Sequence, residues 1–181
     1  MTLSTVLCRA GLFAAAALLT VAFAVKPGTV MAMGTDTPPD DGKKKDKKGS
    51  ELETKRQQAA YEKFLHDYHA ARKLIVSGRY AAGIAAMHAI GKDDHPDVAT
   101  YIGYADRKLG KYDESKYWYE KALAADPDHV RTWSYYGMWQ MEQGNRLKAE
   151  DDLQKVKLLC GNTSCEEYRE LKEVIDGKAS Y

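Results

Sequence analysis

His66 and His69, with Asp67 between them, are the first side chains along the chain that could share a metal ion. On a helix their spacing puts both rings on one face. A transition-metal site needs a third or fourth ligand, and none follows at a usable spacing. Asp93-Asp94-His95 stands just before Pro96 and is read as the cap of a helix that begins there. Ser115, Ser134 and Ser164 lack the context of a nucleophile elbow, and no Gly-rich phosphate loop occurs. Spacing brings no nucleophile, base and orienting group together, so the sequence predicts a chain without catalytic residues, metal or cofactor.

Cysteine is the remaining reactive residue type. Cys160 and Cys165 are five positions apart, and Gly161-Asn162 should break a helix between them. A disulfide is then within geometric reach. A redox-active pair favours two intervening residues at a helix start, and a metal site would need further ligands nearby. We therefore expect Cys160 and Cys165 to form a structural disulfide, in a compartment where disulfides persist.

Such a compartment agrees with the N-terminus. Ala10 to Val25 is an unbroken apolar run ended by Lys26-Pro27-Gly28, with Arg9 in front of it. A membrane-spanning helix needs about 20 apolar residues, so the run reads as a signal peptide spanning residues 1–32. Cleavage after Ala32 is preferred over Ala24, and an uncleaved anchor is the alternative. Residues 33–50 are polar, contain the Lys43–Lys48 run and are expected to be a disordered charged linker. The lysine run, or an uncleaved signal, is the expected route to membrane contact. Beyond residue 32 the charges nearly cancel, which excludes a globally basic nucleic-acid binder.

From Glu51 onward the periodicity is helical, punctuated by Gly and Asp-Pro. Helices are expected near 52–76, 80–91, 97–109, 113–125, 129–143, 146–159 and 165–177. The segment also repeats itself: Gly103 and Gly110 recur as Gly137 and Gly144 at a shift of 34 residues, as do Ala105/Trp139, Tyr119/Leu153 and Ala122/Val156. Small residues at Gly103, Gly137, Ala122 and Ala149 would let paired helices approach closely, with Tyr119 or Leu153 filling the space beside them. Gly110 and Gly144 would make the turns, Asp113 would cap a helix, and Asp126-Pro127 would end it.

These residues resemble the tetratricopeptide repeat family. Ile102-Gly103, Gly110, Tyr112, Tyr119, Ala122-Leu123 and Pro127 carry the likeness within residues 96–129. A divergent copy precedes it near 64–95, with Ala71 and Gly83 at small-residue positions, and another follows near 130–161. The resemblance implies an all-α, right-handed superhelical solenoid of about three hairpins, within a domain covering 51–181. The helix at 165–177 would be the solvating cap that repeat arrays require.

In this family the first helix of each hairpin lines a concave groove. By that resemblance the inward positions are Tyr68, Arg72, Thr100, Tyr104, Arg107, Lys108, Arg131, Ser134 and Met138. The set is cationic and aromatic, so the expected partner is a protein or peptide segment, acidic or carboxylate-bearing. Trp118, Trp133 and Tyr136 are read as packing residues. The implied function is that of a non-catalytic adaptor in the cell envelope, periplasmic or secreted. The alternative is a self-associating structural subunit.

Overall fold

The computed structural model describes residues 42–179, and the expected signal peptide and residues 33–41 lie outside it. Seven helices make up the described residues: α1 Gly42–Val76, α2 Tyr80–Ala89, α3 Pro96–Lys108, α4 Tyr112–Ala125, α5 Val130–Glu142, α6 Arg146–Cys160 and α7 Glu166–Ile175. From α2 onward every boundary falls within two residues of the expected one. The difference lies at the start of α1, which begins at Gly42, inside the segment expected to be linker. Lys, Glu, Gln and Arg are good helix formers with no proline to stop them. Pairs one turn apart reinforce the exposed stretch, such as Lys55–Glu51 at 2.8 Å and Lys63–Asp67 at 2.5 Å.

Turns of three residues join α1 to α2, α3 to α4 and α5 to α6, making three hairpins of antiparallel helices. Each turn contains a glycine at positive φ, such as Gly110 at 75°, where a side chain would be strained. A side chain caps the start of α3, and another holds the loop ahead of α7. His95 Nδ1 accepts from Asp97 N–H at the start of α3, and Asn162 Oδ1 accepts from Ser164 N–H ahead of α7. Asp113 does not cap α4, because that helix already begins at Tyr112 and the position is in its first turn.

Close approach explains the repeated small residues. A Cβ on Gly103 would stand 3.0 Å from the Tyr119 ring, and one on Gly137 would stand 2.7 Å from Leu171. The first contact is the one expected. The second comes from α7 rather than from Leu153, so the last helix is packed in as tightly as a repeat.

The core has two apolar clusters. Tyr68, Ala71, Ile75, Met87, Val98, Tyr101, Ile102 and Ala105 join α1, α2 and α3. Met138, Ala149, Leu153, Val156, Leu171, Val174 and Ile175 join α5, α6 and α7. Between them, polar atoms of Ser115, Tyr119, Arg107 and Glu142 are enclosed with few hydrogen bonds among the described side chains.

Helix contacts set the curvature. The backbones of α1 and α3, of α3 and α5, and of α5 and α7 come close, whereas among the described residues those of α2 and α4 and of α4 and α6 stay apart, α2 reaching α4 through side chains such as His88 and Trp118, ring centroids 5.4 Å apart. The first helices of the hairpins, with α7 in line, therefore form a continuous inner face, and the second helices splay on the outer one.

Candidate partner-binding groove

A row of tyrosines runs along the inner face. Tyr68 on α1 stands edge-on to Tyr101 on α3, with ring centroids 6.0 Å apart. Tyr101 meets Tyr135 on α5 at 6.4 Å, and Tyr104 meets Tyr135 at 5.1 Å. Such offset and edge-to-face pairs hold large rings at little conformational cost. Burial pushes the Tyr68 and Tyr135 phenols well above their ordinary range, so both stay neutral. Arg72 donates from Nε to the Tyr101 hydroxyl at 2.5 Å, and its guanidinium lies 5.3 Å from that ring's centroid.

The nine residues expected in the groove separate into three kinds. Tyr68, Arg72, Tyr104 and Lys108 lie along the inner face, with Arg72 exposed, Tyr104 and Lys108 half-buried and Tyr68 buried in the core. Arg107, Arg131 and Met138 lie along it but are engaged with their neighbours. Arg107 Nη1 lies 3.7 Å from Glu142 Oε1, and its Nη2 points at the Met138 sulfur at 3.9 Å. Arg131 pairs with Glu167 on α7 at 3.4 Å.

Thr100 and Ser134 are fully enclosed, contrary to an open groove position. Thr100 Oγ1 donates to the Pro96 carbonyl at 2.7 Å and lies 2.5 Å from Thr132 Oγ1, while Ser134 Oγ donates to the Glu167 carbonyl at 2.9 Å. Both sit on the flank of their helix that faces the next one. Helical spacing alone does not separate that flank from the open face.

Five more groove residues come from positions outside the expected set: Tyr135, Glu170, Glu173, Val174 and Ala179. α3, α5 and α7 enclose a pocket of about 240 Å³, walled by Tyr104 and Tyr135, floored by Arg107 and Met138, and rimmed by Lys108, Glu170, Glu173 and Val174. Tyr135 had a signal: tyrosines stand at 68, 101, 135 and 168, at intervals of 33 or 34 residues. Glu170 and Glu173 had none, because a terminal helix read as a cap is expected to turn its acids to solvent. Burial and the neighbouring Glu166, Glu167 and Glu173 push the Glu170 carboxyl up, while burial and Arg107 push the Lys108 ammonium down. The groove is thus not simply cationic: two of its four bases are spent on Glu142 and Glu167, and α7 adds an acidic wall.

The other reactive residues fall elsewhere. His66 is exposed beside Asp67 at 3.2 Å, and the His69 ring packs 5.4 Å from that of Tyr68. His129 links Thr132 Oγ1 at 2.6 Å to Asp97 Oδ1 at 3.3 Å, which is the connectivity of a nucleophile, a base and an orienting carboxylate. Thr132 is fully enclosed and no substrate can reach it, so the chain of bonds ties α3 to α5 instead. Cys160 and Cys165 have their sulfurs 2.11 Å apart and their Cα atoms 6.4 Å apart, at bonding distance. Glu167 completes the one group of three metal-ligand types among the described residues, but the two sulfurs in it stand at bonding distance from each other.

Residues 96–129 match the family model of the tetratricopeptide repeat. Among solved structures, the type III secretion translocator chaperone SycD of Yersinia enterocolitica superposes with a TM-score of 0.56 at 16% identity, covering 65% of this chain and 84% of the other. SycD in complex with a peptide of the translocator YopD gives 0.53 at 18% identity, covering 65% and 89%. The first tetratricopeptide domain of Spaghetti (RPAP3), bound to the HSP90 peptide SRMEEVD, gives 0.53 at 20% identity, covering 66% and 95%. A comparison with curated protein sequences finds no match. Residues 96–129 are therefore a tetratricopeptide repeat, and the described chain has the fold of a short tetratricopeptide-repeat solenoid.

Proposed function

We propose that the chain is a non-catalytic protein-interaction module that holds a segment of a partner protein along α1, α3, α5 and α7. The observation that carries this reading is the tyrosine row of the inner face, opening into the pocket between α3, α5 and α7. Tyrosine offers a broad contact surface with few rotatable bonds, which favours recognition of a segment that must be ordered on binding. The fold neighbours support it, since SycD is seen with a YopD peptide and the RPAP3 domain with an HSP90 peptide. Arg72 and Lys108 would receive the acidic part of the partner.

The proposed setting is the cell envelope, after export and removal of residues 1–32. That setting rests on the apolar run before Lys26 and on Cys160 and Cys165, whose disulfide would form there.

Selection from a random-peptide display library tests the binding reading. The chain should enrich a consistent set of peptides, and Tyr104→Ala/Tyr135→Ala should lose them while keeping wild-type helicity. Enrichment that the double variant retains, or none at all from a folded protein, overturns the groove. A protein that instead assembles with itself, with its inner face occluded, would establish the structural-subunit alternative.

A further inference from the structure

Charge is distributed unevenly along the inner face. Arg107 and Arg131 have carboxylate neighbours in Glu142 and Glu167, but Arg72 and Lys108 form no salt bridge among the described residues. Across the pocket from Lys108, on α7, Glu170 and Glu173 form none either. The α1–α3 side of the inner face therefore offers unpaired cations, and the α7 side offers unpaired carboxylates, with the pocket shared between Lys108 and the two acids. Tyr104, Tyr135, Met138 and Val174 line the same pocket.

Neither charge is settled where it stands. Burial works against the Lys108 ammonium and against the Glu170 carboxylate alike. A partner of a single sign would satisfy one side and meet repulsion at the other. A partner carrying both signs in order would pair both sides and cover the aromatic pocket they share.

We infer that the groove takes a dipolar peptide segment, with acidic side chains over Arg72 and Lys108, an apolar residue in the pocket, and basic side chains against Glu170 and Glu173. The inference rests on the groove-binding reading and adds the order of charges to it. The solenoid would then fix which end of the partner segment lies toward α7, independently of any reading of the peptide backbone.

Three short capped synthetic peptides with the same apolar centre test it: one acidic at one end and basic at the other, one acidic throughout, and one basic throughout. The full chain should bind the dipolar peptide about tenfold tighter than either of the others. Lys108→Glu should raise affinity for the all-basic peptide and weaken the dipolar one. Glu170→Lys/Glu173→Lys should do the opposite, favouring the all-acidic peptide. Both side chains reach the surface of α7, and a circular dichroism spectrum matching wild type checks that this second variant folds. A photo-crosslinker at the basic end of the dipolar peptide should label α7 and leave α1 unlabelled.

Equal affinities for the three peptides, label at both ends, or no response to either charge reversal overturns the inference. So does failure of all three to bind, and peptides recovered by display then tell whether the groove reading fails as well. A chain that dimerises and loses peptide binding as it does so would assign the groove to a second copy, which also overturns the inference.

Discussion

Arg107 and Glu142 face each other across α3 and α5 with their charges 3.7 Å apart and their side chains only 1% and 11% exposed. Burial pushes the Glu142 carboxyl up, and Arg107 is the main group opposing that shift. Removing one partner of an enclosed pair strands the other charge. Arg107→Met should therefore cost about 3 kcal/mol in urea unfolding at pH 8. The loss should shrink at pH 5, where Glu142 can take up a proton, and Arg107→Met/Glu142→Met should recover much of it. An unchanged midpoint in the single variant would show the pair contributes nothing to stability.

Asp152 is 9% exposed, with one carboxylate oxygen lacking a protein partner. Burial, and then the adjacent Asp151, pushes its pKa up to about 7, with Lys148 opposing. A folded-state pKa above the unfolded value favours the protonated fold, so stability is lost as pH rises from the unfolded pKa toward 7. Asp152→Asn removes that penalty. It should stabilise the protein by about 1–3 kcal/mol at pH 8 and by almost nothing at pH 4. Denaturant titrations of both proteins across that range would expose a pH-independent difference, which would refute the assignment.

Gly137 and Gly49 should respond oppositely to the same change. A Cβ at Gly137 meets Leu171 at 2.7 and 2.9 Å, while one at Gly49 meets nothing within 4 Å. Gly137→Ala should destabilise by about 1–3 kcal/mol through overpacking, with Leu171→Ala in the same chain removing the clash. Gly49→Ala lies inside α1 and should stabilise by about 0.5–1 kcal/mol. A melting temperature that Gly137→Ala leaves unchanged or raises would contradict the close α5–α7 approach.

A bond between Cys160 and Cys165, whose sulfurs stand at bonding distance, would close a short loop between α6 and α7. Reduction should lower stability by about 2 kcal/mol on the chain-entropy account. Cys160→Ser/Cys165→Ser should match the reduced protein and ignore reductant. A wild-type protein indifferent to reductant would mean that the bond is absent or energetically silent.

Much of this architecture was legible in the residues. Gly103 and Gly137, one repeat apart, mark where helices touch, and the glycine turns place the helix ends within two residues from α2 onward. The start of α1 was not legible, because low hydrophobicity argues against a packed core but does not prevent an exposed, charge-supported helix. The groove was legible in part. Counting along a helix finds the residues on one side, but the angle of the neighbouring helix decides which are covered: Tyr104 stays on the inner face while Thr100, one turn earlier, is sealed against Thr132. The acids of α7 escaped notice because their role depends on where that helix packs, and the contact of Leu171 with Gly137 decides that.

That same contact sets a length. With Leu171 seated on Gly137, α7 takes the place that the first helix of another hairpin would occupy. The inner floor is then four helices wide, and at about 9 Å between neighbouring axes it spans about 27 Å. An extended chain advances about 3.3 Å per residue, so the floor accommodates about eight of them. Over the described residues the inner face is a ruler, and a partner segment much shorter than that leaves part of it uncovered.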